Sequence, residues 1–165
     1  MIIRILAKRL HKLTGKGKAI IVFGARQVGK TTMLHDVFKN ESDNVLWLNG
    51  DEPDVRAMFE NATSMRLNAI IGSKKIVVID EAQRIADIGI ALKLIVDNRP
   101  DVQVVATGSS SFDLANNINE PLTGRKNEML LFPLSFAELA AHNGLLEETR
   151  LLEHRLVYGS YPDVV

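Results

Sequence analysis

The sequence contains no cysteine, which excludes a disulfide-stapled scaffold and thiolate metal sites and points to a cytoplasmic setting rather than an oxidising one. Aromatic residues make up only 5%, and none is interleaved with the basic residues between Arg4 and Lys18, so a base-stacking surface for single-stranded nucleic acid is not expected. No apolar run approaches the ~20 residues of a membrane-crossing helix, which argues against a membrane span. Neither sign of charge is in excess: 20 Lys+Arg balance 20 Asp+Glu, removing any bulk attraction to nucleic acid. His11, His35, His142 and His154 show no metal-like pairing, which argues against zinc. There is no G-x-G-x-x-G for a dinucleotide and no Asn-Lys-x-Asp to read guanine, so dinucleotide-dependent enzymes and GTPases are set aside.

What is present is an ordinary globular composition, 46% apolar and 24% charged over 165 residues, enough for one cored domain. The balanced charge is unevenly spread: Met1 to Lys39 holds nine Lys/Arg and one acid, Asp36. Ile3, Leu6, Leu10 and Leu13 fall at helical spacing, so 3–13 reads as an amphipathic helix packed on the domain. A secretory signal would need Ala19–Phe23 as its apolar core, and that run leads directly into a glycine motif with a better explanation. Ala19–Gly24, Val45–Asn49, Lys75–Asp80 and Val102–Ala106 read as strands, with Met129–Phe132 as one more. Gly29–Asn40, 54–71 and Ala86–Asn98 read as helices between them, Trp47 as core, and Ser135-Phe-Ala-Glu138 as a capping-box start. Asp51, Glu52 and Asp54 read as helix-cap chemistry at a solvated end. Alternating apolar strands and helices predict an α/β fold with a parallel central sheet covered on both faces.

Gly24-Ala25-Arg26-Gln27-Val28-Gly29-Lys30-Thr31-Thr32 fits G-x-x-x-x-G-K-[ST], the phosphate loop or Walker A motif. Two glycines let the backbone curl with its N–H groups inward, an anion nest closed by the amino terminus of the next helix. Lys30 reaches the β- and γ-phosphates of ATP, Thr31 takes Mg²⁺, and Thr32 lies beside the α-phosphate. A chance match is expected in only about 0.4% of chains of this composition, and the motif falls between a strand and a helix as the chemistry requires. Ile76-Val-Val-Ile-Asp80-Glu81 supplies the Walker B counterpart: Asp80 at a buried strand's end to hold Mg²⁺ through water, and Glu81 to polarise the attacking water. Small-molecule kinases usually lack such a glutamate, so Glu81 favours hydrolysis. Asp80-Glu-Ala-Gln83 resembles superfamily helicases too, but those need a second motor domain for which this length has no room.

The motifs resemble those of AAA+ ATPases, and most closely a group of prokaryotic ATPases sharing G-x-R-Q-V-G-K-T, D-E-x-Q, T-G-S-S, G-R…P-L-S-F-x-E and G-x-Y-P. They occur here in order as Gly24–Thr31, Asp80–Gln83, Thr107–Ser110, Gly124-Arg125…Pro133-Leu-Ser-Phe-Ala-Glu138 and Gly159-Ser-Tyr-Pro162. The resemblance implies a P-loop NTPase three-layer sandwich with about five parallel strands: 1–134 as the ATPase core and 135–165 as the start of a helical lid or linker. It also implies a carboxyl-terminal domain beyond Val165, in keeping with an ending on apolar residues that reads as a cut. A polar sensor near the γ-phosphate is implied at Thr107 or Ser109. Arg125, eight residues before Pro133, has the spacing of an arginine finger that acts on a neighbouring subunit in a homo-oligomer; the competing reading is a solvated surface arginine. Arg26 could reach phosphate or brace the loop. No arginine stands in Gly159-Ser-Tyr-Pro162, where many AAA+ lids carry one, and Arg155 nearby does not match. The expected function is Mg-ATP binding with hydrolysis. The alternatives are a nucleotide-gated switch or scaffold without turnover, and a subunit of a DNA-handling oligomeric ATPase.

Overall fold

A computed structural model describes residues 2–109 and 118–165; Ser110, which closes the Thr-Gly-Ser-Ser motif, lies outside them. Ala19–Phe23 (β1) is apolar at every position because it is covered on both faces. Its side chains alternate between two cores, as a pleated strand demands. Ile20 and Val22 join one core with Leu10, Leu34 and Phe38, while Ala19, Ile21 and Phe23 join the other with Val55, Leu67, Leu92 and Ile95. The first core is closed by α1 (Ile5–Leu13) and α2 (Lys30–Phe38). The second is closed by α3 (Pro53–Phe59), α4 (Ser64–Ile71) and α5 (Ile88–Asn98). The result is a three-layer sandwich.

The remaining strands are β2 (Val45–Asn49), β3 (Ile76–Asp80), β4 (Gln103–Gly108) and β5 (Lys126–Leu130). They form one sheet in the order β2-β3-β4-β1-β5, with every pairing parallel. The chain leaves β1 towards the β2 edge but crosses from β4 to β5 over the other side of β1. That reversal makes the carboxyl ends of β1 and β4 the crevice in which such sheets bind ligands. Three helices follow: α6 (Phe136–Asn143), α7 (Leu145–Arg150) and α8 (Leu152–Tyr158). Ser135 and Glu138 form the expected capping box, and Pro53 opens α3. Glu52 caps α3 without a side-chain bond, and Asp51 instead pairs with Arg84 at 3.4 Å.

Of the expected boundaries that shift, two have a plain physical reason. Helical spacing places Ile3 on the packed face of α1, yet Ile3 precedes the helix and is 68% exposed. Arg4 is extended at the N-cap, and its guanidinium runs inward to Glu138 (Nε to Oε1, 3.2 Å), which pulls the chain off the helical path. The last strand begins at Lys126 rather than Met129 because its pairing with β1, Ala19 opposite Lys126 through Phe23 opposite Leu130, is made by backbone. An edge strand tolerates the polar Lys126, Asn127 and Glu128 there.

Two buried polar side chains tie loops to the ends of the sheet. Gln103 accepts from the Gly15 amide (2.8 Å) and donates to the Lys18 carbonyl (2.8 Å) at the amino end of the strands. Glu138 accepts from the Ile5 amide (2.7 Å) and the Ser135 amide (2.8 Å) at the carboxyl end. Burial alone would raise the Glu138 carboxyl, but those amides and the Arg4 charge outweigh it and hold it below its ordinary value. Glu148 is also held low, by Arg155 and Asn143 against its own desolvation, and Asp101 is held well below its ordinary value by hydrogen bonds from Arg99 and Lys75. A depressed carboxyl contributes stability that is complete above its unfolded-state pKa and is lost as pH falls through the folded one. The melting temperature is therefore expected to hold steady from neutrality to about pH 5 and to decline on acidification below the ordinary carboxylate range, as calorimetry across that range would measure.

Candidate functional site

The loop Gly24–Gly29 leaves the carboxyl end of β1 and enters α2. Gly24 passes so close to β5 that a Cβ would lie 2.6 Å from the Leu131 carbonyl oxygen, which no side chain permits. Gly29 caps α2 in the left-handed region (φ 92°), where glycine alone has no steric cost. Ala25, Arg26 and Gln27 are exposed, and Val28 is buried. Lys30 is buried and its ammonium donates to the carbonyls of Gly24 and Ala25, each at 2.9 Å. Burial pushes its pKa down against the pull of Glu81 and Asp80, with Arg26 lowering it further.

Thr31, in the first turn of α2, donates its hydroxyl to Asp80 Oδ2 at 2.6 Å. Asp80 ends β3, and its other oxygen accepts from the Thr107 hydroxyl. The β3–β4 register, which pairs Ile79 with Ala106, sets Asp80 beside Thr107 when carried one step on. The structure thus distinguishes the two sensor candidates by contact. Thr107, fully buried, braces Asp80. Ser109 donates to Glu81 Oε2 at 3.3 Å and accepts from Gln83 Nε2 at 3.1 Å. Gln83 also donates to Glu81 Oε2, while its own Oε1 is buried without a partner among the described residues. Gln83 is a site residue that role assignment from the sequence missed; its place in the D-E-x-Q motif was the available signal.

Glu81 sits in the left-handed region (φ 48°), which for such a residue costs on the order of 1–3 kcal/mol. Its amide is held by Asp80 Oδ1 (3.2 Å) and Thr107 Oγ1 (3.3 Å). Gly50 packs against it, donating its amide to the Asp80 carbonyl at 2.8 Å. Among the described residues no group of three or more His, Cys, Asp and Glu could cage an ion. The facing Thr31 hydroxyl and Asp80 carboxylate are instead hard oxygen donors, the type suited to Mg²⁺, which keeps most of its ligands as water and phosphate oxygen.

A cavity of about 390 Å³ opens beside the loop, lined by Gly29, Thr32, Met33, Leu134, His142 and Pro162 among others. That size lies within the ~300–1,000 Å³ of small-molecule pockets. The Gly-x-Tyr-Pro segment forms part of its wall: Ser160 accepts from the Leu134 amide at 2.8 Å, and Pro162 lies 3.6 Å from where a Gly29 Cβ would stand. Arg155 is engaged by Glu148 at 2.8 Å. Arg125 stands apart from the loop. It precedes β5 at the amino end of the strands, pairs with Asp97 (2.6 Å), and is separated from the carboxyl end by about 13 Å of strand.

A parallel sheet in this order, a glycine loop entering a helix and a carboxylate at the end of the next strand but one define an AAA-type P-loop ATPase domain. The chain belongs to the AAA domain family, whose model matches residues 16–140. Uncharacterized proteins of Mycobacterium tuberculosis and Mycobacterium bovis are each 32% identical to it over 123 residues, covering 72% of this chain and 26% of theirs. The chain thus spans about a quarter of the length of those relatives. Among solved structures it is similar in fold to the Walker-type ATPase PABY2304 of Pyrococcus abyssi (TM-score 0.67, 18% identity, 98% of this chain and 65% of that one). It is also similar to the Aeropyrum pernix ORC1 protein in complex with DNA (0.58, 15%, 87% and 48%) and to the Thermotoga maritima RuvB Holliday junction branch migration motor (0.52, 17%, 90% and 51%). No helix among the described residues is long and apolar enough to cross a membrane.

Gly50 provides a direct check on the site's geometry. A Cβ there would meet the Glu81 carbonyl oxygen at 2.5 Å, so Gly50→Ala must push the strained Glu81 turn aside. Urea denaturation is expected to show a loss of about 1–3 kcal/mol, whereas Gly72→Ala, with open space around it, is expected to cost only the strain of its positive φ.

Proposed function

We propose that this chain is the nucleotide-binding core of an ATPase that binds Mg-ATP and hydrolyses its terminal phosphate. The observation that carries the reading is the meeting of Thr31 and Asp80 at 2.6 Å, beside the loop that holds Lys30 and one residue before Glu81. Loop amides and the α2 terminus take the phosphates, and Lys30 exchanges the carbonyls of Gly24 and Ala25 for phosphate oxygens, a charge-assisted contact. Thr31 and Asp80 would hold Mg²⁺, which would supply positive charge against the charge of the phosphates. Glu81 accepts a proton from the attacking water, with Gln83 and Ser109 governing where its carboxylate points. The cavity between Met33, Leu134 and Pro162 receives the nucleoside, and α6–α8 serve as the lid, with 1–134 as the core beneath.

The opposite placement of Arg125 favours action in trans. Its distance from its own loop argues against a finger role within one chain, and its half-exposed pairing with Asp97 supports access by a neighbouring copy in a homo-oligomer. Of the fold neighbours, one is a structure in complex with DNA and another a branch migration motor, so a DNA-handling assembly is one context in which to test such turnover.

Lys30→Ala is expected to weaken ADP binding at least tenfold by calorimetry, since one charge-assisted contact is worth about 1.5–3 kcal/mol. Unchanged affinity would sink the nucleotide reading. Glu81→Gln is expected to keep ADP affinity and to lower phosphate release about 10²–10⁴-fold. A chain that binds ATP without turnover, indifferent to this change, would be a switch. In an assembled oligomer, Arg125→Ala is expected to lower turnover roughly 10³-fold or more without weakening ADP binding; a silent substitution would reduce Arg125 to a surface ion pair.

A further inference from the structure

Arg4 stands 24 residues before the phosphate loop's last non-glycine position, yet it is one of the most connected side chains at the site. It is 7% exposed and Glu138 is 6% exposed. Nη1 donates to the Val28 carbonyl at 2.8 Å, Nη2 to the Phe132 carbonyl and Nε to Glu138 at 3.2 Å. One guanidinium therefore joins the amino-terminal segment, the phosphate loop, the end of β5 and the capping box of α6. Gly29 lies against it, its would-be Cβ 3.5 Å from Nη1.

The bond to Val28 has a consequence for the next residue. A trans peptide is planar, so the Val28 C=O and the Gly29 N–H point in opposite directions. Holding the carbonyl towards Arg4 turns the Gly29 amide away from it. We propose that Arg4 is a positioning residue for phosphate binding: by anchoring the Val28 carbonyl it keeps the Gly29 N–H aimed into the nest, and through Glu138 it ties that aim to the seating of α6 over the cavity. This rests on the nucleotide-binding reading above and adds to it a residue outside the glycine motif. A buried ion pair is weak evidence for stability as such, because an apolar pair of similar volume is often no worse. Three acceptors on separate segments argue instead for orientation.

Stability and orientation can be separated. Arg4→Met leaves Glu138 buried without its charge partner and is expected to lower the melting temperature sharply. Adding Glu138→Gln removes that uncompensated charge, so the double variant is expected to regain much of the melting temperature. Its ADP affinity is expected to stay about 10- to 100-fold below wild type, because the Val28 carbonyl still lacks its anchor. In ¹⁵N-glycine spectra the Gly29 amide shift seen on adding ADP to wild type is expected to shrink in the double variant. Arg4→Lys keeps the charge but cannot reach three acceptors, and is expected to stay folded with reduced affinity. Gln103→Leu, which removes the clamp at the far end of the sheet, is expected to lower the melting temperature without moving ADP affinity. Affinity that recovers together with stability in the double variant, or falls equally in Gln103→Leu, would overturn the proposal alone. A wild-type chain that binds no ADP would overturn both readings together.

Discussion

A loop that turns its N–H groups towards an anion turns its carbonyls the other way, and buried carbonyls must find donors. Much of the architecture around Gly24–Gly29 answers that requirement. Lys30 supplies donors to Gly24 and Ala25, and Arg4 supplies one to Val28. The loop is thus held in shape by two cations drawn from either side of it in sequence. Their roles differ. The Lys30 ammonium is a compact point charge on a flexible stem, free to exchange carbonyls for phosphate. The Arg4 guanidinium is a rigid fork whose acceptors lie on three segments, and exchanging any one of them would release the others. One cation is suited to move and the other to stay.

The sheet order explains why so few residues suffice for the rest of the site. Parallel strands end together, so β1, β3 and β4 deliver the loop, Asp80 and Thr107 to one crevice without a long connection. Glu81 is the residue for which this geometry is costly. It follows the last residue of β3 immediately, and the chain must turn there to avoid β2, whose end at Gly50 has no side chain to spare. The left-handed turn at Glu81 is held by two hydrogen bonds to its amide and by Gly50 against its carbonyl. Strain at a residue so well surrounded sets the direction of its side chain, which then meets Gln83 and Ser109 rather than solvent alone.

What could be read in advance was whatever local pattern carries. The uninterrupted apolar runs of β1 and β3, the glycine spacing and the Ser135–Glu138 capping box all depend on neighbours a few residues away, and they stand where the pattern puts them. Telling the contacts of Thr107 from those of Ser109 needed the β3–β4 register, a property of two strands that neither reveals alone. The Arg4–Glu138 bond spans 134 residues of sequence, beyond the reach of any periodicity. Helical spacing even misled there, since it assigned Ile3 to a packed face while the chain's real constraint was the inward path of Arg4. The capping glutamate was legible as a cap but not as the partner of a cation from the other end of the chain.

The uneven charge of the amino-terminal segment takes on a different meaning in this light. Nine basic residues lie between Met1 and Lys39, and their number alone does not say which of them serve the site. Seven of them are exposed, including Lys8, Arg9 and Lys12 on the open side of α1, where cations are solvated at little cost. Only Arg4 and Lys30 are buried. Desolvating a cation is expensive enough that it persists only with several well-placed acceptors; Lys30 finds both of its own on the phosphate loop, and Arg4 finds one there and two beyond it. Burial, rather than number, singles out the two cations that hold the loop carbonyls.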